Sequence, residues 1–260
     1  MKHYLKKFYA ILIYLFLYAP ILILIIFSFN ASKSRGNWSG FSLHWYFELL
    51  QDRQILNALY NTMMIAVLSA VIATLIGTAA AIGIHNMKKL KKKVIMNLTY
   101  LPVVNPDIVT GLSLMILFVF INLRLGFLSL LLAHITFNIP YVILSVLPKL
   151  KQLDKHLYEA ALDLGATPLE AYRKVILPEI MPGVVTGMLL AFTLSLDDFV
   201  ISFFTTGSGV STLSITVYSM ARRGINPKIN AISTILFLTV LLLLMIVNIR
   251  MSGNHSKKER

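Results

Sequence analysis

The chain has 260 residues, 57% of them hydrophobic, and a mean hydropathy of +0.75. A soluble domain is nearer ~45–50% apolar, so the composition excludes an ordinary water-soluble fold and indicates an integral membrane protein. The absence of cysteine excludes disulfides and thiolate metal sites, and the formal net charge of +13 has to be explained by where the charges lie.

Six apolar stretches predict an all-α membrane protein with six transmembrane helices, at about residues 8–29, 59–84, 94–121, 127–147, 183–204 and 231–249. The first carries no charge over 22 positions, enough to cross ~30 Å of hydrocarbon, and it is too long for the apolar part of a cleaved signal peptide. The second is rich in small residues, which allow close helix packing. Pro102 and Pro106 interrupt the third, which predicts a broken or kinked helix.

The connections between these stretches differ in composition. The first, up to Asn57, contains Trp38, Trp45 and Tyr46 and predicts an outer loop with an interfacial helix around residues 43–50. Residues 122–126 predict a tight turn, and residues 205–228 a second outer loop that is partly helical.

Basic residues predict the orientation of the chain. The two termini, the segment 87–93 with five lysines in seven residues, and the loop 149–182 hold more than twice as many Lys and Arg as the opposite side. The opposite side has Lys33, Arg35, Arg53, Arg124, Arg222, Arg223 and Lys228. Because basic residues mark the cytoplasmic side, both termini and the loop 149–182 are predicted to be cytoplasmic, and the charge needs no nucleic-acid partner.

Two short helices are predicted within this long cytoplasmic loop. The first begins near Asp154, a candidate N-cap, and ends at Gly165, which can adopt a left-handed conformation. The second begins at Thr167, with Glu170 in the capping-box position, and is expected to end at Pro178. A membrane loop that contains two capped helices indicates a docking surface.

Three acids in the apolar stretches are candidate substrate-path residues. Asp107 lies 13 residues beyond Val94, roughly 20 Å along a helix, and Asp197 with Asp198 lies at similar depth in the fifth stretch. A carboxylate at this depth is costly and should face a cavity or a partner. The alternatives are a helix cap for Asp107 and a helix end for the other two, one of which could orient the turn.

No Arg or Lys lies within the apolar stretches to neutralise these acids. His134 reaches a similar depth and could pair with one of them, although a lone membrane histidine is more often part of the packing. Unpaired carboxylates along a water-filled path favour cations, and several spaced acids suit an elongated polycation. Tyr141 and Tyr218 could add cation–π contacts or serve only as packing.

The cytoplasmic loop resembles the EAA loop of bacterial ABC importer permeases. Glu159-Ala160-Ala161, Gly165 and Val175-Ile176-Leu177-Pro178 follow the spacing of that motif, with Val175 in place of the usual Ile. In that family the loop forms the coupling helices, which sit in a groove of a cytoplasmic ATPase. The resemblance implies coupling residues Glu159, Ala160, Ala161, Gly165, Ala166 and Pro178 on a type I importer permease (MetI-like) fold.

Further segments extend the resemblance to nearly the whole chain. They are Gly40-Phe41-Ser42-Leu43, Asn105 to Val109, His134 to Phe137 and Phe192 to Phe199, which are similar to the spermidine/putrescine permease subunits of ABC importers. The resemblance implies a single permease domain, residues 1–260, that spans a bacterial inner membrane several times. It also implies a second permease subunit (PotB-like), two ATPase copies (PotA-like) and an external substrate-binding protein (PotD-like).

The resemblance implies that the chain has no catalytic residue and binds no cofactor, since ATP and Mg belong to the ATPase. The sequence agrees, because it contains no G-x-x-x-x-G-K-[ST] phosphate loop. Two alternatives stay open: the same machine with another cargo, such as an anion or a sugar, and an integral membrane enzyme. The second lacks support, because the six histidines are scattered and no H-E-x-x-H motif occurs.

Overall fold

The computed structural model describes residues 2–33, 37–154, 156–223 and 227–258. Arg35, Lys155 and Arg260, which enter the charge comparison above, lie outside the described residues. The described chain is helical apart from turns, loops and one isolated bridge between Asn30 and Phe41. It divides into two compact units, Asn57–Thr216 on the one hand and Met1–Leu56 with Val217–Arg260 on the other.

The helices follow the predicted stretches closely. They are α1 (Lys2–Ser28), α2 (His44–Gln51), α3 (Arg53–His85), α4 (Lys89–Val104), α5 (Asp107–Phe120), α6 (Phe127–Gln152), α7 (His156–Asp163), α8 (Pro168–Ala171), α9 (Leu177–Asp197), α10 (Val200–Thr205), α11 (Leu213–Arg223) and α12 (Lys228–Lys258). Helices α2 and α11 confirm the helical segments expected in the two outer loops.

Four described helices are long and apolar enough to cross a membrane, namely Lys6–Ser28, Arg53–His85, Phe127–Gln152 and Pro168–Asp197. The pair α4 and α5 adds a fifth if it counts as one span, and its two halves meet at a bend of 106°. The bend confirms the predicted break, since Pro106 precedes α5 and lacks the N–H that a continuous helix needs. The sixth stretch falls on α12, of which Lys228–Leu242 forms a shorter apolar helix.

The unit Asn57–Thr216 is built on the packing of α6 against α9. Val142, Val146 and Ile180 are buried at the centre of its core. Small residues bring the helices close: a methyl group at Gly183 would lie 2.9 Å from the Ser145 carbonyl oxygen. This core holds the polar loop 149–182 at one end of the unit, because α6 leads into the loop and α9 leads out of it.

The other unit packs α1 and α2 against α12. Trp45 is buried in it, and its indole N–H donates to the Asn30 carbonyl oxygen at 2.8 Å. Lys228 forms ion pairs with Glu48 at 3.0 Å and Asp52 at 3.2 Å. The ion pairs tie the beginning of α12 to the segment that follows α1 and includes α2.

The expectation that Pro178 ends the second loop helix is wrong. The chain stays helical from Pro168 to Asp197, because a π-helical turn, Tyr172–Ile176, joins α8 to α9. In this wider turn the N–H of Leu177 donates to the Tyr172 carbonyl, five residues back. Pro178 directly follows this wide turn, and the helix continues past it without the hydrogen bond that a backbone N–H at this position would donate.

Candidate functional site

Helix α7 is the first of the two helices in the polar loop. Both ends of α7 have the predicted caps. The Asp154 carboxylate accepts the backbone N–H of His156 at 3.0 Å. After α7, Gly165 has φ +85°, and its N–H donates to the Leu162 carbonyl while the N–H of Ala166 donates to that of Ala161. These two bonds form a Schellman motif, which closes the helix and turns the chain sharply.

The second loop helix, α8, opens with the predicted capping box. Glu170 donates its backbone N–H to the Thr167 hydroxyl at 3.4 Å and accepts the Thr167 N–H at 3.1 Å on its carboxylate. The same carboxylate accepts a hydrogen bond from Lys174 at 2.8 Å. The bonds from Lys174 and Thr167 lower the pKa of Glu170 to about 2, so this carboxylate stays ionised over the whole physiological range.

The predicted coupling residues are divided between the surface and the interior. Glu159, Ala160, Gly165 and Pro178 are exposed, Ala166 is half-buried, and Ala161 packs inward. Sequence reasoning missed Leu164 and Leu169, whose exposed fractions are 90% and 77%. Their signal is a large apolar side chain in an otherwise polar turn, and such exposed apolar groups mark interaction sites when they cluster.

A cavity of about 510 Å³ lies behind the loop, between it and the adjoining ends of α3 and α6. The rings of Tyr158 and Tyr172 face it with their centroids 5.0 Å apart. Asn86, just after α3, donates its side-chain N–H to the Tyr172 hydroxyl at 2.8 Å. The segment after α3 and the polar loop therefore lie at the same end of the unit.

Asp107 is the first residue of α5, directly after the 106° bend. Its side chain is exposed, and the N-cap position before it is occupied by Pro106, which has no side-chain acceptor to cap α5. Its negative charge nevertheless lies at the positive end of that helix, which is a favourable position. Helix α5 packs on α10, where a methyl group at Gly111 would lie 3.3 Å from the Ile201 Cα.

Asp197 and Asp198 occupy the break between α9 and α10 and differ in environment. Asp197 is the last residue of α9 and is exposed. Only 7% of the Asp198 side chain is exposed, and its carboxylate accepts the N–H of Ser202 at 2.7 Å and of Ile201 at 3.3 Å. Asp198 thus orients the turn into α10. Asp107 and Asp197 have no ion pair within the described part of the chain.

His134 lies beside this turn and is fully buried. Its Nε2 is 3.1 Å from the Ser202 hydroxyl and 3.6 Å from the Asp198 carboxylate, so the histidine does approach one of the acids. One helical turn further along α6, Asn138 donates to the Ser195 hydroxyl at 2.7 Å. Sequence reasoning did not assign Ser195 a role, because a serine in a helix gives no sign of its partner across the core.

The predicted site residues therefore fall into two separate regions. One end of the unit carries an ordered, solvent-exposed loop with protruding leucines. Away from this loop, Asp107 and Asp197 are exposed, each at a break between two apolar helices. Among the described residues, no group of three or more His, Cys, Asp or Glu side chains is placed to hold a metal ion.

Comparisons with solved structures show the fold. The chain is 18% identical to a chain of a bacterial ABC transporter involved in the import of the acidic polysaccharide alginate, with a TM-score of 0.74 over 96% of this chain and 94% of that one. A chain of the MetNI methionine ABC transporter matches with 19% identity and a TM-score of 0.62, over 81% of this chain and 97% of that one.

Curated relatives are far more similar in sequence. The spermidine/putrescine transport system permease protein PotC of Escherichia coli is 43% identical over 90% of this chain and 88% of its own. PotC of Haemophilus influenzae is 36% identical over 98% and 99%. The putrescine transport system permease protein PotI of Escherichia coli is 43% identical over 85% and 81%.

A family model described as "binding-protein-dependent transport system inner membrane component" matches residues 73–253, which is more than two thirds of the chain. The polar loop and the helix breaks with their acids lie within this range. The chain therefore belongs to the family of binding-protein-dependent transport system inner membrane components.

Proposed function

We propose that this chain is the non-catalytic permease subunit of an ATP-driven importer for the polyamines spermidine and putrescine. The observation that carries the proposal is the exposure of Asp107 and Asp197, two carboxylates on separate helices without an ion pair among the described residues. Unpaired acids along a path attract cations and repel anions. The relatives named for spermidine and putrescine transport support the same cargo.

In this proposal residues 1–260 form one transmembrane permease domain with six spans in a bacterial inner membrane. Both termini and the loop 149–182 face the cytoplasm, in accordance with the distribution of Lys and Arg. The contact of Asn86 with Tyr172 supports this orientation, because it joins the lysine-rich segment and the polar loop at one end of the unit.

The loop 149–182 couples the permease to a cytoplasmic ATPase. Leu164 and Leu169 supply the apolar anchors that a docking groove would bury, while Glu159, Ala160 and Gly165 form the exposed surface around them. Burial of such apolar side chains contributes favourable free energy to an interface. Ala161, Ala166 and Pro178 support the loop rather than enter the groove.

The complete importer contains a second, PotB-like permease subunit, two PotA-like ATPase copies and a PotD-like substrate-binding protein. ATP and Mg bind to the ATPase, and this chain binds neither. Closure of the two ATPases moves α7 and α8, and the continuous helix from Pro168 to Asp197 transmits that movement to the acids. The path then opens alternately to the two sides of the membrane, and Asp107 and Asp197 attract and pass the cation.

Asp198 contributes to the same path indirectly. Its carboxylate is occupied by the N–H groups of Ile201 and Ser202, so it holds the break between α9 and α10 in shape. Asp197 is thereby kept at a helix end, where its carboxylate remains free to meet the substrate.

Uptake of radiolabelled spermidine by proteoliposomes that contain the complete complex tests the proposal. We expect ATP-dependent uptake that unlabelled putrescine reduces and sulfate does not. An importer for another cargo would be recognised by competition from sulfate or a sugar and not from polyamines. An integral membrane enzyme would be recognised by the absence of any stoichiometric ATPase on purification.

A further inference from the structure

Four lysines at the start of α4 form an exposed cluster. Lys88, Lys89, Lys91 and Lys93 are all exposed, and none of them forms an ion pair within the described part of the chain. We call these four residues the lysine cluster. Several positive charges grouped in this way attract an anion to the space among them.

The fifth lysine of the segment has a different role. Lys92 donates to the His85 carbonyl oxygen at 3.1 Å and so closes the end of α3. Because Lys92 is turned towards α3, its side chain packs between α3 and α4 and does not project from the surface. The lysine cluster, by contrast, projects from the surface of the unit.

An apolar stripe on α4 begins within the lysine cluster. Leu90, Val94, Leu98 and Leu101 are 54–78% exposed and recur every three or four residues, so they lie on one side of the helix. Successive helical residues are about 100° apart, which places Lys91 on one flank of this α4 stripe and Lys93 on the other. The stripe is about 16 Å long, so it could contact most of the length of a lipid acyl chain.

We propose that the lysine cluster and the α4 stripe together bind an anionic phospholipid. The phosphate of the headgroup lies among the lysines, and one acyl chain lies along the stripe. The N-terminal end of α4 adds its helix dipole and free backbone N–H groups to the attraction for the phosphate. Anionic lipids of the cytoplasmic leaflet are attracted to juxtamembrane lysine clusters in this manner.

Charge and shape distinguish a lipid from a soluble partner. A soluble protein or a free anion could satisfy the lysines, but neither would account for an apolar stripe that continues from them into the membrane. The polar loop is the surface that meets the ATPase in the proposed function, and its exposed leucines are on another segment. The lipid proposal depends on the membrane location of the chain and not on which cargo it transports.

A single fluorescent label can test this proposal, because the chain has no native cysteine. Asn97 is exposed and close to the stripe on the helical wheel, so Asn97→Cys is labelled in the complete complex. The complex is placed in vesicles that contain either phosphatidylglycerol or phosphatidylcholine with brominated acyl chains. We expect about tenfold preferential quenching by phosphatidylglycerol at low salt, with a clear decrease at high salt.

Four controls make the result decisive. Replacement of all four cluster lysines by Gln should abolish the preference, and replacement by Arg should keep it. A label at Val119→Cys, an exposed position of α5, should show no preference for phosphatidylglycerol. Inorganic phosphate at matched ionic strength should leave the preference unchanged.

Equal quenching by the two lipids at Asn97→Cys would overturn the proposal, as would displacement by inorganic phosphate. A label that neither lipid quenches would show that a protein partner covers the stripe, which also contradicts the proposal. If the Gln variant fails to insert, the salt dependence and the Val119→Cys control still decide the outcome.

Discussion

The carboxylate of Asp198 accepts the backbone N–H of Ser202 at 2.7 Å, so this acid is committed to the turn between α9 and α10. Its neighbour Asp197 is exposed at the end of α9. Two adjacent acids with the same charge therefore have different structural roles, and their substitutions should have different consequences.

Asp198→Ala should destabilise the protein by about 1–3 kcal/mol, because two backbone N–H groups lose their buried acceptor. Asp197→Asn should change stability by less than about 0.5 kcal/mol but should strongly slow polyamine uptake. Thermal unfolding of the purified chain and uptake by the reconstituted complex measure the two effects. Asp107→Asn serves as a second test of the path, and unchanged uptake in both Asn variants would contradict it.

Gly165→Pro should uncouple ATP hydrolysis from transport while membrane insertion stays intact. Proline cannot adopt φ +85°, and it lacks the N–H that donates to the Leu162 carbonyl. Gly165→Ala should have a milder effect, with a conformational cost of about 1–2 kcal/mol. The control is Gly209→Ala, which imposes a similar cost at φ +93° outside the loop and should leave coupling unchanged.

Leu164→Ser and Leu169→Ser should each weaken binding of the ATPase by about tenfold, since full burial of a leucine side chain is worth about 1.5–3 kcal/mol. The chain itself should stay folded, because both side chains are exposed. Co-purification of the ATPase at decreasing concentration measures the effect. Leu128→Ser removes an exposed leucine at the beginning of α6 and should leave ATPase binding at its normal level.

Deletion of Val175 should convert the π-helical turn, Tyr172–Ile176, into an ordinary helical turn. The wide turn holds one residue more than an α-helical turn, so the deletion narrows the helix where the loop joins α9 and changes the local geometry that positions the docking face. We expect uptake to fall at least about tenfold, although the deletion variant should still fold. Val175→Ala keeps the length of the chain and should remain active. Normal uptake by the deletion variant would show that the wide turn has no part in coupling.

The stability of α8 should depend on acid pH through Glu170. Its pKa is lowered from 4.5 to about 2 by the hydrogen bonds from Lys174 and Thr167, so its contribution is complete above about pH 4.5 and disappears as the pH falls towards 2. Hydrogen exchange of the loop amides, corrected for the intrinsic rate, should therefore increase between these values. Glu170→Gln should show faster exchange already at pH 7 and no such pH dependence.

Much of the fold was predictable because it depends on local chemistry. Helix breaks follow from Pro106 and from the acids at 197 and 198, and the caps at Asp154, Gly165 and Thr167 require only nearby residues. These features do not depend on which helices pack together. The EAA spacing located the loop for the same reason.

The remaining features depend on contacts that spacing does not reveal. The continuation of the helix past Pro178 requires a π-helical turn, for which the sequence has no simple signal. The burial of Asp198 depends on its approach to His134, 64 positions earlier in the chain. The exposure of Leu164 and Leu169 appears only when the loop is folded on α3 and α6.

Coupling to a cytoplasmic ATPase requires that the polar loop face the cytoplasm. Ala160→Cys and Ser208→Cys, both at exposed positions, give single labelling sites in a chain without native cysteine. An impermeant maleimide applied outside intact cells should label Ser208→Cys and not Ala160→Cys. In inside-out vesicles it should label Ala160→Cys, with protection when the ATPase binds, and labelling of Ala160→Cys from outside would contradict the account.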